Sequence, residues 1–216
     1  MQKIKSFLKL ILHPKIFFYL RDKMNSNFDE IKLINQFIKE KNGVMFDVGS
    51  HDGSSFMPFL LNGWEIFAFE HDKQNNKKIT EYISRWNLKV NLIEKAVSNV
   101  EETQTFYTSK SFSGTPSLLK FDHEQVASHE VTTIMLKNFI NSYNVKKIDF
   151  LKIDIEGYDF MAIKGFDFTK FKPRIIMTEF EDKKTVLLGY KTKDMAQYLL
   201  DKGYFIIYSI WRPIKQ

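Results

Sequence analysis

Acidic residues stand at the predicted carboxyl ends of several apolar segments in this chain. The apolar segments alternate with amphipathic ones, and in an open parallel sheet the ligand lies beyond the carboxyl ends of the strands. Four of the five strand ends carry a carboxylate, and the other carries a lysine. In chain order the candidates are Asp47, Glu70, Lys95-Ala96, Asp154 with Glu156, and Glu179. We therefore expect the functional site at this edge of the sheet.

The loop at residues 46–53, FDVGSHDG, follows the first predicted strand. Its glycines are spaced G-x-x-x-G, one fewer than a pyrophosphate turn needs, and Asp52 would repel a phosphate. Glu70 lies 17 residues after Gly53, near the spacing at which an acid accepts hydrogen bonds from a ribose diol. S-adenosylmethionine (SAM), a sulfonium nucleoside, satisfies both observations. The alternative for Asp47 is a carboxylate that only caps the loop.

A second motif, LKIDIEG, occupies residues 151–157. Alternation along a strand places Lys152, Asp154 and Glu156 on one side. A central parallel strand is normally apolar on both faces, so three ionisable groups there either do chemistry or pair with one another. The structural alternative is a buried ion-pair cluster of Lys152 with Asp154 or Glu179.

The alternation of helix and strand patterns predicts an α/β fold, with a mostly parallel central sheet and helices on both faces. Predicted helices cover residues 28–41, 54–62, 72–86, 136–143 and 192–202. Predicted strands cover residues 44–48, 65–70, 88–93, 105–108, 148–153, 174–180 and 204–210.

Residues 98–130 interrupt this alternation with a polar stretch rich in Ser, Thr, Glu and His. Such a stretch inside a compact domain is more often functional than a linker, so we predict a lid or acceptor-binding segment. Its His123 and His129 are candidate bases or metal ligands, or else polar loop residues. Three aromatic residues are candidates to stack on an acceptor such as a sugar ring, or to pack under the loop: Phe106, Tyr107 and Phe112.

Basic residues are concentrated at the N-terminus. Residues 1–23 contain six lysines and arginines against one aspartate, and the whole 216-residue chain has a net charge of +6. The remainder is nearly neutral, so nucleic acid is not an expected partner. Charges interrupt the apolar runs too often for a transmembrane span or a signal peptide. We predict a basic amphipathic helical extension over residues 1–27 that packs on its own domain, self-associates, or contacts an anionic membrane surface.

The chain contains no cysteine. This excludes disulfides, a thiolate nucleophile and a cysteine-based zinc site, and it favours a reducing compartment.

The spaced motifs resemble those of the FkbM family of SAM-dependent methyltransferases, over about residues 41–210. The resemblance rests mainly on IDFLKIDIEGYDFMAIKGF at residues 148–166, a lysine–x–aspartate–x–glutamate–glycine strand end followed by a short helix and a second glycine. It is supported in order by FDVGSHDG, by IFAFEHD at 66–72, by EKAVSN at 94–99 and by RIIMTEFE at 174–181. The chain departs from the family pattern at three places: Ser50-His51-Asp52, His71 in place of a proline, and Leu136-Lys137 in place of a leucine–aspartate pair.

This resemblance implies a Rossmann-like class I methyltransferase fold for a catalytic domain over residues 28–216. It also implies which residues bind SAM. The loop would hold the methionine end, the acid after the second strand and its neighbour would hold the ribose, and the residues after the third strand would flank the adenine. These residues are Asp47, Gly49, Ser50, His51, Asp52 and Gly53, then Glu70 and His71, then Lys95 and Ala96.

The resemblance further implies that Asp154 and Glu156 face the transferred methyl group and the acceptor. Either carboxylate is a candidate general base. Alternatively the two would hold a divalent metal such as Mg²⁺ or Mn²⁺, with Glu179 as a third oxygen ligand. Lys152 would orient a carboxylate rather than act itself.

The expected function is methyl transfer from SAM to a hydroxyl group of a small molecule or sugar. A nucleotide-linked or lipid-linked sugar of surface-polysaccharide biosynthesis would suit a cytoplasmic enzyme, peripheral at the inner membrane face, with a basic N-terminus. One alternative is an NAD-dependent oxidoreductase on a similar sheet, which Asp52 and the missing glycine disfavour. The other is a non-catalytic interaction module docked to a membrane through residues 1–23.

Overall fold

The computed structural model describes residues 12–24, 30–38, 41–109, 117–121 and 123–207. The helices within these ranges are α1 (Pro14–Met24), α2 (Glu30–Phe37), α3 (Met57–Leu61), α4 (Lys73–Arg85), α5 (Leu136–Ser142), α6 (Asp159–Lys164), α7 (Asp182–Thr185) and α8 (Thr192–Asp201). The strands are β1 (Val44–Val48), β2 (Glu65–Phe69), β3 (Asn91–Ile93), β4 (Ala96–Val97), β5 (Thr103–Ser109), β6 (Gln125–Ile134), β7 (Phe150–Ile153) and β8 (Ile175–Thr178).

The central sheet consists of parallel strands in the order β3-β2-β1-β7-β8. The chain builds outward from β1 to β3 and then returns to the other side of β1 with β7. The strand order therefore reverses between β1 and β7, and a ligand crevice forms beyond the strand ends at such a switch point. The expected α/β class with a mostly parallel sheet is confirmed.

Alternate side chains of the strands enter two hydrophobic clusters on opposite faces of the sheet. Phe46 and Leu151 belong to the cluster that α5, α6 and α8 cover. Met45 and Phe150 belong to the cluster that α1 to α4 cover. Burial of both faces explains why the strands are short continuous apolar runs. Asp47 and Lys152 interrupt this apolar pattern.

A second, smaller sheet has the strand order β4-β6-β5. β6 runs antiparallel to β5 and parallel to β4. The predicted strand at 105–108 lies within β5. β6 itself was not predicted, because its exposed, polar side chains show no regular alternation. The described part of the predicted lid at 98–130 is thus largely β-structure, and its role as a lid remains a prediction.

Several predicted elements are shorter than expected. The helix predicted at 54–62 begins only at Met57, because Asp52 accepts a hydrogen bond from the Ser54 N–H in a turn before it. The strand predicted at 88–93 begins at Asn91. Residues 204–207 are not in a strand, and the rest of the strand predicted at 204–210 lies outside the described residues.

The predicted N-terminal extension is described only in part. α1 packs on the domain through Phe18, which is buried in the second hydrophobic cluster. Its other side exposes Ile16, Tyr19 and Leu20. The predicted domain boundary after residue 27 lies outside the described residues. Within the described ranges, no helix combines the length and apolar character needed to cross a membrane.

Candidate cofactor and acceptor site

A cavity of 390 Å³ opens at the carboxyl ends of β1, β2 and β7, beside β5 and residues 117–118. Known ligand sites commonly fall between about 300 and 1,000 Å³. The predicted site residues that line it are Gly49, His51, Glu70, His71, Lys95, Ala96, Asp154 and Glu156. The predicted site residues that lie outside its wall are Asp47, Ser50, Asp52, Gly53, Lys152 and Glu179.

The loop after β1 follows the backbone of its neighbours closely. Gly49 has a φ of +79°, and a Cβ there would lie 2.0 Å from the carbonyl oxygen of Asp154. Only glycine allows this contact. The N–H groups of Gly49 and Ser50 both donate to the carbonyl oxygen of Phe69, at 3.0 and 3.2 Å. The loop is therefore fixed between the ends of β2 and β7.

The remaining polar groups of the loop shape the turn itself. Ser50 donates its hydroxyl hydrogen to the carbonyl oxygen of Asp47 at 2.8 Å. The Gly53 N–H donates to the carbonyl oxygen of Ser50 at 2.8 Å. Ser50 and Gly53 therefore stabilise the turn, and like Asp52 they lie outside the cavity wall although the sequence places them in the cofactor loop.

Glu70 is buried, and its carboxylate receives two backbone hydrogen bonds. The His51 N–H donates to Oε2 and the Asp72 N–H donates to Oε1, both at 2.8 Å. Burial raises the pKa of Glu70 above its ordinary value, partly offset by these two hydrogen bonds. Each carboxylate oxygen has a second lone pair. The group can therefore accept further hydrogen bonds from a ligand in the cavity.

His71 lies beside Glu70 and forms part of the same wall. Its Nδ1 is 3.3 Å from Glu70 Oε1, and its ring meets Phe106 edge-on with centroids 3.9 Å apart. Burial, followed by the proximity of His129, lowers the pKa of His71 to about 4. The imidazole is thus neutral at pH 7. Its Nε2 is buried and has no hydrogen-bond partner among the described residues.

The histidines predicted in the 98–130 segment do not line the cavity, although both belong to the described residues. The ring of His129 lies 5.4 Å from Phe106 and 6.0 Å from His71, centroid to centroid. His129 therefore packs against two residues of the cavity wall without lining the cavity itself.

Asp47 and Lys152 form a buried ion pair beneath the loop. They are direct partners in the register of β1 and β7, and Lys152 Nζ lies 3.2 Å from Asp47 Oδ1. Ser55 donates its hydroxyl hydrogen to the other oxygen of Asp47. Lys152 Nζ also lies 3.5 Å from Asp154 Oδ2 and donates to the carbonyl oxygen of Gly49 at 3.2 Å. Burial alone would lower the pKa of Lys152, but Asp47 and Asp154 outweigh it and the pKa is raised.

This arrangement matches the ion-pair alternative for Lys152 and Asp154, but not for Glu179. It also places the Asp47 side chain in the floor below the cavity, where it is fully buried, rather than in the wall. Contact of Asp47 with the methionine end of SAM remains a prediction.

Asp154 and Glu156 both line the cavity, but strand alternation does not place them there. β7 ends at Ile153, and Glu156 has a φ of +56° in the turn that follows. The Asp154 side chain is 46% exposed, whereas that of Glu156 is 22% exposed. Burial raises the pKa of Glu156. Ser117 donates its hydroxyl hydrogen to the Glu156 carbonyl oxygen at 3.0 Å, which ties residues 117–118 to this turn.

Lys184 forms ion pairs with the acids that follow β7 and β8. Its Nζ lies 2.6 Å from Glu156 Oε2, 3.4 Å from Glu179 Oε2 and 2.9 Å from Glu181 Oε2. The lysine side chain is only 7% exposed. Burial disfavours its ammonium form, but the hydrogen bonds with Glu156 and Glu181 outweigh this and its pKa is raised.

The three residues predicted as metal ligands do come together. Carboxylate oxygens of Asp154, Glu156 and Glu179 lie within 4.8 Å of one another. Lys184 already pairs with two of them, so a divalent cation in this position would have to displace an ammonium group. As arranged here, these residues do not fit a metal ion.

Asp159, the first residue of α6, connects the two turns that carry these acids. Its carboxylate accepts hydrogen bonds from the Gly157 N–H at 3.2 Å, the Thr178 hydroxyl at 3.2 Å and the Glu179 N–H at 3.3 Å. Burial, with the nearby charges of Asp154 and Glu179, raises the pKa of Asp159 to about 8.

The residues predicted from the sequence do not include Lys184 or Asp159, although both lie beside the cavity acids. Lys184 lies in a run of charged residues, EDKK, that resembles a solvated helix start and carries no distinguishing signal. Asp159 did carry one, because it follows Glu156 by three residues inside the most informative motif.

The reversed strand order and the cavity beside β1 and β7 define a Rossmann-like α/β protein with a candidate ligand site at the switch point. The sequence assigns the particular family, since residues 47–206 match the methyltransferase FkbM domain. The chain belongs to the FkbM methyltransferase family, whose members use SAM, and its fold is that of the class I methyltransferases.

Comparison with solved structures finds matches at low sequence identity. SMU.1697c of Streptococcus mutans in complex with SAH has a TM-score of 0.48 and 17% identity, covering 88% of this chain and 92% of that one. Precorrin-6y C5,15-methyltransferase of Geobacter metallireducens has a TM-score of 0.46 and 14% identity, covering 85% and 75%. An rRNA methylase of Streptococcus thermophilus has a TM-score of 0.44 and 13% identity, covering 77% and 80%. A comparison with curated proteins finds no match.

Proposed function

We propose that the protein is an O-methyltransferase that carries the methyl group of SAM to a hydroxyl group of a small molecule or sugar. One observation carries the proposal. A single cavity joins Glu70, the acid after β2, to Asp154 and Glu156, the acids after β7. The first suits the hydroxyl groups of a nucleoside, and the second pair suits an acceptor that must lose a proton.

The cofactor side of the cavity fits SAM. Glu70 Oε2 keeps a lone pair for a ribose hydroxyl, and the unpartnered Nε2 of neutral His71 is a hydrogen-bond acceptor for the nucleoside. The acids of the wall complement a sulfonium and an ammonium group. When bound, SAM supplies a methyl carbon activated by the positive sulfur.

On the acceptor side, we assign the general base to Asp154. Its carboxylate is the more exposed of the two in the cavity wall, and Lys152 holds only Oδ2. With SAM bound, the acceptor oxygen would lose its proton to Asp154 as it bonds to the methyl carbon, and the bond from that carbon to the sulfur would break to leave S-adenosylhomocysteine. Glu156, held by Lys184, positions the acceptor for in-line attack.

Thermal unfolding midpoints measured with SAM, S-adenosylhomocysteine (SAH) or NAD test the cofactor assignment. Ligands that bind only the folded state raise the midpoint. We expect SAM and SAH to raise it and NAD to leave it unchanged. Stabilisation by NAD alone would refute the proposal, and no response to any of the three would support the non-catalytic alternative.

For the acceptor, we propose a nucleotide-linked or lipid-linked sugar of surface-polysaccharide assembly. The basic residues of 1–23 and the exposed apolar side of α1 support a site of action at an anionic membrane. Mass spectrometry of surface glycans from a deletion strain should show the loss of a methyl group. Unchanged glycan methylation would exclude this acceptor class. Co-sedimentation of the full chain with phosphatidylserine vesicles tests the membrane contact, and recovery only in the supernatant would exclude it.

A further inference from the structure

The acids on the acceptor side are organised around an ammonium group of the protein itself. Among the described residues, three carboxylates lie within 4 Å of Lys184 Nζ, those of Glu156, Glu179 and Glu181. The ammonium also lies 5.6 Å from the centroid of the Phe121 ring. It is thus surrounded on several sides by groups that attract a cation.

The stem of Lys184 lies against the turn that follows β7. The backbone of Gly157 passes so close that a Cβ there would lie 2.8 Å from the Lys184 Cβ. Gly157 has a φ of +90°, and Glu156 before it has a φ of +56°. The turn after β7 therefore passes close to the Lys184 stem, and this path of the backbone brings Glu156 next to the Lys184 ammonium group.

The same carboxylates would otherwise suit a hard divalent cation. Clustered carboxylate oxygens are the ligands that Mg²⁺ and Mn²⁺ prefer. Oxygens of Asp154, Glu156 and Glu179 are already close enough together, within 4.8 Å. What separates this cluster from a metal site is the Lys184 ammonium group, which pairs with two of its three acids.

We infer that Lys184 is the resident cation of the acceptor-side acids, taking the place that a divalent metal would otherwise occupy. It pairs with Glu156, Glu179 and Glu181, offsets part of their negative charge, and fixes the Glu156 carboxylate at the cavity wall. Lys184 is thus a positioning residue, and this side of the cavity excludes divalent metals. The role in positioning an acceptor rests on the proposed function, whereas the exclusion of metal does not.

Mn²⁺ binding, followed by electron paramagnetic resonance of the full-length protein, tests this inference without an acceptor. Wild-type protein should bind Mn²⁺ only weakly. Lys184→Ala should bind it about 10- to 100-fold more tightly, the range that a change around a metal site commonly produces. Lys184→Arg, which keeps the positive charge, should behave like the wild type. The double variant Lys184→Ala/Glu179→Gln should lose the gained site.

Lys183→Ala is the matched control, because Lys183 is an exposed neighbour and its loss changes the net charge equally. It should leave Mn²⁺ affinity unchanged. SAH binding by calorimetry reports whether each variant retains its cofactor site, so that failure of the proposed function and failure of this inference give different results. Lys184→Met, which keeps most of the apolar stem, replaces Lys184→Ala if the latter does not fold.

Tight Mn²⁺ binding by the wild type that Glu156→Gln abolishes would overturn the inference without any lysine variant. So would a folded Lys184→Ala or Lys184→Met protein that gains no Mn²⁺ affinity.

Discussion

In the described part of the chain, two buried lysines pair with acidic residues, and they do so in different surroundings. Lys152 pairs with Asp47, which is fully buried, in the floor beneath the cofactor loop. Lys184 is equally buried, but its partners Glu179 and Glu181 are 42% and 46% exposed beside the cavity. The first pair joins adjacent strands of the sheet. The second cluster joins the turns that follow two strands.

This difference in exposure predicts different roles for the two lysines. In a buried pair that water does not reach, each charge depends on the other, because an unpaired charge there is costly. A partly exposed cluster can lose one member and be rescued by water or by another cation. We therefore expect the Lys152 pair to maintain the fold and the Lys184 cluster to govern what enters the acceptor side.

The largest expected effect is on the rate of methyl transfer, at Asp154, which lies near Lys152 and belongs to the same acid cluster as Glu156 and Glu179. Asp154→Ala should lower methyl transfer by about 10²- to 10⁴-fold, the usual contribution of a general base. SAH affinity should be nearly unchanged, because the Asp47–Lys152 pair and Glu70 remain. Transfer of labelled methyl groups from SAM to a cell extract, with SAH calorimetry as the control, measures both. Full activity of this variant would remove Asp154 from the mechanism.

Next in size is a stability difference between the two lysines. Lys152→Met should destabilise the protein by about 3–5 kcal/mol, because it leaves the carboxylate of Asp47 buried and without its cation. Lys184→Met should cost less, about 1–2 kcal/mol, because water reaches the acids it leaves behind. Urea unfolding of both variants measures the difference. Equal losses of unfolding free energy would show that the two lysines contribute equally to stability.

The double variant Asp47→Asn/Lys152→Met provides the control for that comparison. Removing both charges avoids an unpaired buried ion, so it should be less destabilised than Lys152→Met alone.

Two glycines give a smaller contrast. Gly49→Ala should cost about 3 kcal/mol or more and weaken SAH binding, because its Cβ would meet a backbone carbonyl that cannot move aside. Gly157→Ala should cost about 1–3 kcal/mol, because its Cβ would meet the Lys184 side chain. Unfolding free energies with SAH titrations compare them. If Gly157→Ala proves the more damaging, the Lys184 cluster is the more rigid of the two.

The smallest expected effect is a change in pH dependence on the cofactor side. The pKa of His71 is lowered to about 4 in the folded protein from 6.5, so the unfolded chain binds more protons between these values. Stability is therefore lost as the pH falls from about 6.5 to 4. His71→Phe should flatten this part of the curve, measured by urea unfolding across pH 4–8. An unchanged slope would show that His71 is already accessible to protons.

The sequence predicted the parts of the site that lie in linear motifs at strand ends. Glu70, Asp154 and Glu156 follow β2 and β7, and parallel pairing brings such ends to one edge whatever the exact register. The sequence could not show whether the Asp47 side chain lies in the cavity wall or below the cavity, because this depends on the register that pairs Asp47 with Lys152.

What the sequence could not predict depends on contacts between distant residues. Lys184 reaches Glu156 across 28 positions of chain, and nothing in its own neighbourhood signals that it is buried. β6 escaped prediction because most of its side chains face solvent, so hydrophobic periodicity is weak there.

The close approach of Gly49 to the carbonyl oxygen of Asp154 has a consequence for how such an enzyme can diversify. With no side chain between them, the cofactor loop and the acceptor strand end behave as one mechanical part, and substitutions there disturb both functions together. β5 and residues 117–118 form another wall of the cavity, which contacts this part through Ser117 and contacts His71 through Phe106. On the proposed function, we expect new acceptor preferences to arise more readily at residues 117–118 than in the floor.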